Sequence, residues 1–319
     1  MHVVRAFLLV ALAAAPLAAQ QGPNFDTVQV RTVPLADGLY MLMGAGGNIG
    51  LSVGSDGAFL VDDQFAPLTP RILAAVAAVT AEPVRFVLNT HWHGDHTGGN
   101  ENLGKAGALI VAHENVRKRM NPEEFKDVLG RTQQAPPDAL PVVTFTDAVT
   151  FYWNGEQLRA FHVPPAHTDG DVIIHFVHAD VIHMGDVFNN SGYPFVDAPS
   201  GGDVDGFVGA ADAVLAIART GTQIVPGHGA VAGPDRLRAY RDMIDTVRTR
   251  VRALKNQGKT EDEVVAARPT ADLDATYAGG QAERAERFVR AVYQTVDPRE
   301  DAAIRSLPGR GQVPVHRSR

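Results

Sequence analysis

The sequence predicts an α/β fold in which two β-sheets pack face to face with helices on their outer sides. Three observations carry this expectation. Short strand-like segments come in two series, each series is closed by helical stretches, and 319 residues at 45% hydrophobic content supply a sizeable core.

The elements follow in order. Residues 28–33, 39–43, 49–53 and 58–61 read as short strands separated by the turn signals at 36–38, 44–48 and 54–57, which makes an antiparallel meander. Leu68, Ile72, Leu73, Val76 and Val79 recur at helical spacing across 67–79, and Thr69 with Pro70 marks the start. The apolar, branched run 84–88 reads as a buried strand. A strand at 108–112 and a helix at 114–120 come next. The proline-rich stretch 121–141 is expected to be partly helical, partly irregular, a rim or lid. A second series of strands spans 142–144, 149–153, 158–163, 172–177 and 181–184. An amphipathic helix at 203–219 and a last strand at 223–225 complete it. Beyond Gly233, helical patterns at 237–254, 261–267 and 281–296 form an extension of the domain, taken as 20–298, and not a second domain. The tail 299–319 is polar and expected to be loose.

Residues 1–19 have the three parts of a secretory leader: a basic start at Arg5, the apolar run 6–15 and small residues up to Ala19. The apolar run is too short to span a bilayer, so an exported protein, periplasmic or secreted, with no stable membrane anchor is expected. Removing Arg5 with that segment moves the formal net charge from −7 to −8. An acidic chain lacks the basic surface that nucleic acid requires, which leaves a small molecule as the expected substrate. There is no cysteine, so disulfides, thiol redox chemistry and thiolate ligands are excluded.

The chemistry concentrates at Thr90-His91-Trp92-His93-Gly94-Asp95-His96-Thr97-Gly98-Gly99, directly after the strand at 84–88. Three imidazoles and a carboxylate within six positions would repel one another if protonated and have little use in a core. Neutral imidazole nitrogens and one carboxylate oxygen are what a borderline metal such as zinc accepts. Three further sites fall at ends of expected strands: His167 in Pro164-Pro165-Ala166-His167-Thr168-Asp169-Gly170-Asp171, Asp186 after Met184-Gly185, and His228 between Gly227 and Gly229. His113, His162, His175, His178 and His183 read as locally hydrogen-bonded residues. Asp171 is either an acceptor that fixes a ligand tautomer or a solvated turn carboxylate.

In these residues the chain resembles the metallo-β-lactamase superfamily, marked by THxHxDHxGG followed by single His, Asp and His ligands. The resemblance covers roughly residues 28–233. It implies a four-layer αββα sandwich of two mixed sheets flanked by helices, and two zinc ions per chain. One zinc falls on His91, His93 and His167, the second on Asp95, His96 and His228, with Asp186 bridging the two. A hydroxide shared by two cations is then a nucleophile at neutral pH, which Asp95 orients and whose proton it later manages. The expected reaction is hydrolysis of a carbonyl-type bond: a β-lactam, a lactone or a similar ester or amide.

Two loops are expected to face the metals: 44–48, as a flexible flap, and 189–195. Trp92, Tyr193 and Phe195 are candidates for an apolar wall, and Asn189 and Asn190 for hydrogen bonds to substrate. Among branches of the superfamily, those with a Cys ligand are excluded by composition, and the lysine that follows that Cys has no counterpart in residues 187–190. The Cys-free branch with a counterpart of His96 is closer, while Asp186 as a bridge is more typical of thioesterase-like and lactonase-like hydrolases. A glyoxalase-type thioesterase is normally cytoplasmic and holds glutathione through basic residues of a C-terminal helical region; the leader argues against it. A diiron redox protein of the same fold is the alternative from another class, although such proteins usually need a flavin partner domain. β-Lactam turnover is expected to be inefficient, since no cationic side chain is evident beside the site.

Overall fold

The computed structural model describes residues 24–121 and 135–297. The leader at 1–19, the tail from 299 and most of the proline-rich stretch expected as a rim lie outside the described residues.

Four antiparallel strands open the fold: β1 (Arg31–Ala36), β2 (Leu39–Met43), β3 (Ile49–Ser52) and β4 (Ala58–Val61). Helix α1 (Thr69–Ala77) carries the chain over to β5 (Val84–Leu88), parallel to β4. Then come the short helices α2 (Gly94–Thr97) and α3 (Asn100–Lys105), β6 (Leu109–His113), α4 (Glu114–Met120) and β7 (Val143–Phe145). Because Val142 N donates to Ile110 O at 2.9 Å, β7 runs parallel to β6 and closes the first sheet. It does not open the second series, where the sequence pattern places it. The first sheet is therefore mixed, in the order β1 to β7.

The second sheet holds β8 (Ala148–Trp153), β9 (Glu156–His162), β10 (Val172–Phe176) and β11 (Val181–His183), all antiparallel. After α5 (Val204–Ile217), β12 (Gln223–Val225) adds parallel to β11. The C-terminal helices are α6 (Pro234–Asn256), α7 (Glu261–Ala266), α8 (Asp274–Tyr277) and α9 (Ala282–Thr295).

Three apolar layers hold these parts together. Met41, Phe59, Leu88, Val111 and Val61 from the first sheet meet Leu158, Val172, Ile174 and Phe176 from the second. The other face of the first sheet takes Leu68, Ile72 and Leu103. The other face of the second, through Ile173, Ile182 and Ile224, takes Phe207, Tyr240, Ile244 and Phe288. Both faces of β3 and β4 are buried, which explains why these strands are continuous apolar runs without alternation. The result is the expected four-layer αββα sandwich. The strands β4, β5, β11 and β12 all deliver their C-terminal ends to one edge of it.

Candidate metal centre

Every expected ligand reaches that edge. His91, His93, Asp95 and His96 follow β5, His167 lies in the β9–β10 loop, Asp186 follows β11 and His228 follows β12. Possible ligand atoms of three groups approach within 4.8 Å of one another: His91, His93 and His167; Asp95, His96 and His228; and His91, His96 and Asp186. The first two sets are those implied for two separate ions. The third places Asp186 between them, with oxygens 3.1 Å from His96 Nε2, 3.6 Å from His167 Nε2 and 3.4 Å from His228 Nε2. Asp95 Oδ2 is 3.3 Å from His228 Nε2.

Two close approaches shape the centre. A Cβ on Gly47 would overlap the His96 imidazole, and one on Gly227 would overlap Asp186 Oδ1. Only backbone fits there, so the loop 44–48 and the β12 end press directly on ligand groups. In this structure the loop is hydrogen-bonded on both sides of the centre. Gly47 N donates to Asp95 O at 3.0 Å, Gln64 Nε2 to Gly47 O at 2.6 Å, and Asn48 Nδ2 to Pro226 O and Gly229 O at 2.9 and 2.8 Å.

Four of the five imidazoles are aimed by a partner on the outer nitrogen. His96 Nδ1 meets Asp62 Oδ2 at 2.7 Å, His167 Nδ1 meets Phe195 O at 2.7 Å, His93 Nε2 meets Asp197 Oδ2 at 2.8 Å and His91 Nδ1 meets Thr90 Oγ1 at 3.0 Å. Acceptors outside assign the protons of His93, His96 and His167 to the outer nitrogens. The inner lone pairs of His167 Nε2 and His93 Nδ1 then face each other at 2.8 Å, a repulsive arrangement unless a cation is shared. His91 Nε2, His96 Nε2 and Asp186 Oδ1 are buried without a hydrogen-bond partner; the last two lie 3.1 Å apart but out of hydrogen-bond geometry. Such orphans are costly in a core and are the normal condition of metal ligands. The residues present therefore fit a nitrogen- and oxygen-liganded metal.

The electrostatics agree. Burial, reinforced by neighbouring imidazoles, holds His91 well below the usual range, and burial takes His167 down to about 4, so both offer neutral nitrogens. Burial opposes charge on His96 and His228 as well, but Asp186, with Asp62 for the former and Asp95 for the latter, outweighs it. His96 rises well above its usual range and His228 to about 9. Burial likewise opposes ionisation of Asp186, yet His96 and His228 hold its carboxyl well below the usual range. The carboxylates of the pocket thus favour positive charge among them.

The substrate-side residues divide. Phe195, 52% exposed, sits 6.1 Å from the His93 ring and 5.7 Å from that of His167. With Phe65 and Asn189 it lines an open cleft over His93, Asp95, Asp186 and His228. Trp92 is not in that lining; it packs with Ala112, Val116 and Leu140 beneath α4. Tyr193 is buried, stacked 5.2 Å from Phe288, with its hydroxyl 3.0 Å from Asp274 Oδ1. It ties the loop to the C-terminal helices. Asn189 borders the cleft but spends its Oδ1 on Ser191 N and Oγ, and Asn190 turns away to Ala230 O and Arg236. Asp171 is no tautomer-fixing acceptor and no solvated carboxylate. It is buried and accepts from His167 N, Thr168 N and Thr168 Oγ1, holding the ligand loop by its backbone. Burial pushes its carboxyl up to about 7 against those bonds.

Sequence reasoning missed Asp62 and Asp197. The only sign of Asp62 in the sequence is a carboxylate pair directly after the apolar run of β4, a pattern ordinary turns share. It also missed cationic side chains near the site: Arg284 and Arg287 of α9 line a cavity that His228 borders.

A two-sheet αββα sandwich with a His and Asp donor cluster at the converging strand ends defines a class of metal-centre protein. The sequence matches the model of the metallo-beta-lactamase superfamily over residues 43–228, more than half of the chain, and the chain belongs to that superfamily. It is similar to the lactamase-like protein aptB of Emericella nidulans, 30% identical over 184 residues, 57% of this chain and 51% of that protein. It is also similar to a hydroxyacylglutathione hydrolase of Anaeromyxobacter dehalogenans, 31% identical over 125 residues, 39% of each. The matches span about half of the first relative and less of the second. A solved metallo-beta-lactamase from Pontibacter korlensis shares the fold, with TM-score 0.57 at 18% identity, covering 68% of this chain and 99% of that one.

Proposed function

We propose that this protein is a dinuclear zinc hydrolase that opens a carbonyl-type bond in a small molecule, a β-lactam, lactone or similar ester. The observation that carries the reading is the pairing of two three-residue donor sets through Asp186. His91, His93 and His167 would hold one ion and Asp95, His96 and His228 the other, with Asp186 between them. Bound there, zinc supplies acidified water and an electrophile for the carbonyl oxygen.

The chain's own residues do the rest. Asp95, 28% exposed, faces the cleft and is the carboxylate placed to orient a water and accept its proton. His91 and His96 are buried and hold their nitrogens by packing, without rearrangement. Phe65 and Phe195 give the cleft an apolar wall for the body of the substrate. A thioester is the second reading, supported by the stretch shared with the hydroxyacylglutathione hydrolase. Export belongs to the proposal through the leader-like 1–19; among the described residues, no helix is long and apolar enough to cross a membrane.

The test is a hydrolysis screen of β-lactams, lactones, esters, thioesters and phosphodiesters on zinc-loaded protein, with metal content measured on the same sample. Two zinc per chain and turnover of a carbonyl substrate, abolished in H93A/D95A, is the expected result. Full activity in that variant, or a preference for phosphodiesters, overturns the reading.

A further inference from the structure

His228 is held differently from the other imidazoles of the centre. Its Nε2 faces Asp95 and Asp186 at 3.3 and 3.4 Å, while its Nδ1 takes no hydrogen bond among the described residues. It also stands between two glycines, of which Gly229 has φ 102, so the chain there has little stiffness of its own. The aim of this ring therefore depends on what grips the backbone of 226–229.

That grip comes largely from one residue. Asn48, 3% exposed, donates through Nδ2 to Pro226 O at 2.9 Å and Gly229 O at 2.8 Å, and through its backbone N to Gly227 O at 2.7 Å. The remaining carbonyl, His228 O, accepts from Asn190 N at 2.9 Å. Asn48 is held in turn by His183, which is buried on β11. His183 Nε2 donates to Asn48 O at 3.0 Å, and its Nδ1 accepts at 3.2 Å from the backbone N of Gly185, the residue before Asp186. One neutral imidazole serves both bonds. Among the described residues, the side chains of Asn48 and His183 make no hydrogen bond to His91, His93 or His167, nor to the groups that orient them.

We infer that Asn48, braced by His183, is the positioning residue for His228 and so governs the donor set Asp95, His96 and His228 separately from the other. With the carbonyls of 226–229 fixed, Nε2 of His228 is kept facing Asp95 without a search over loop conformations. Without them that set loses its distant imidazole, while His91, His93 and His167 keep their own supports. The zinc part of this inference rests on the dinuclear reading above; the hold on the loop does not.

Two measurements on the full-length protein test it. The first is amide hydrogen exchange of the metal-free protein. In N48A the amides of 227–229 are expected to exchange at least about tenfold faster, and those of 167–171 at the wild-type rate. Acceleration of both stretches, or of neither, overturns the brace. The second is zinc titration against a chromophoric chelator. Of two binding steps in wild type, the one that H228A abolishes is expected to weaken at least about tenfold in N48A, and the other to stay within about threefold. Equal weakening of both steps, or of neither, overturns the selective role. H183F is expected to move the same two readouts in the same direction, and H183Q, whose amide can supply the donor to Asn48 O, to restore them; H183F indistinguishable from wild type removes His183 from the brace. If N48A has no cooperative thermal transition, H183F decides by the same readouts. If wild type binds fewer than two zinc ions, the dinuclear reading fails while hydrogen exchange still decides the hold on His228.

Discussion

Asp62 accepts three hydrogen bonds, from His96 Nδ1, Thr90 N and Thr90 Oγ1, each at 2.7 Å. It therefore decides which nitrogen of His96 faces the centre and also fixes the first residue of the ligand loop. Asp62→Asn keeps the shape but loses the charge that supports a basic, correctly protonated imidazole. Zinc affinity and kcat/KM are expected to drop roughly 10- to 100-fold, measured by chelator competition and steady-state kinetics. Unchanged affinity would remove Asp62 from this positioning role. The seven donors were legible because His and Asp clustered at the ends of apolar runs have few other uses. Asp62 and Asp197 were not, since a carboxylate after a strand, or before a short turn as Asp197 is, is an ordinary turn former until its imidazole partner, 34 or 104 positions away, is known.

Among the elements, the loop 44–48 joins the two halves of the centre. Its glycines read as flexibility, but Gly47 is there because the backbone touches the His96 ring. Gly47→Ala is expected to push the loop off His96 and Gly227, to lower activity at least about 100-fold and to destabilise by about 1–3 kcal/mol, checked by kinetics and denaturant unfolding. Helix α4 carries a pH dependence. Its N-cap His113 accepts from Asn115 N at 3.2 Å through Nδ1 while Nε2 meets Thr146 O at 2.9 Å, a neutral tautomer with both nitrogens used. Burial first, then the stacked His162 ring 3.9 Å away, lowers its pKa. The folded pKa lies below the unfolded value near 6.5, so the unfolded chain binds more protons between the two. The contribution is complete above about pH 6.5 and is lost as pH falls through that window. The Tm difference between pH 7.5 and pH 5 is expected to shrink in H113N; an identical difference would assign the acid sensitivity elsewhere.

For the molecule as a whole, the helices beyond Gly233 are structural. Leu237, Tyr240, Ile244 and Val247 of α6, with Phe288 and Val292 of α9, join Phe207 of α5 in covering Ile182 and Ile224, so much of the outer layer of the second sheet comes from beyond residue 233. A chain ended after residue 233 is expected to lose its cooperative thermal transition and to bind a hydrophobic dye, because a large apolar face is then open to water. A cooperative transition at the full-length Tm would show that the extension is separable. This also explains Tyr193, whose ring reaches those helices and not the cleft.

Layering, the position of most strands along the chain, the seven candidate donors and the superfamily were legible in the sequence itself. Apolar periodicity is local, and the ligand types are few and chemically distinctive. Other features were decided only by tertiary structure: the transfer of β7 to the first sheet, the outer acceptors on the imidazoles, the pinned loop at Gly47, and the arginines of α9 beside His228. Each depends on groups far apart in the chain meeting through packing, and no local pattern of residues encodes such a meeting.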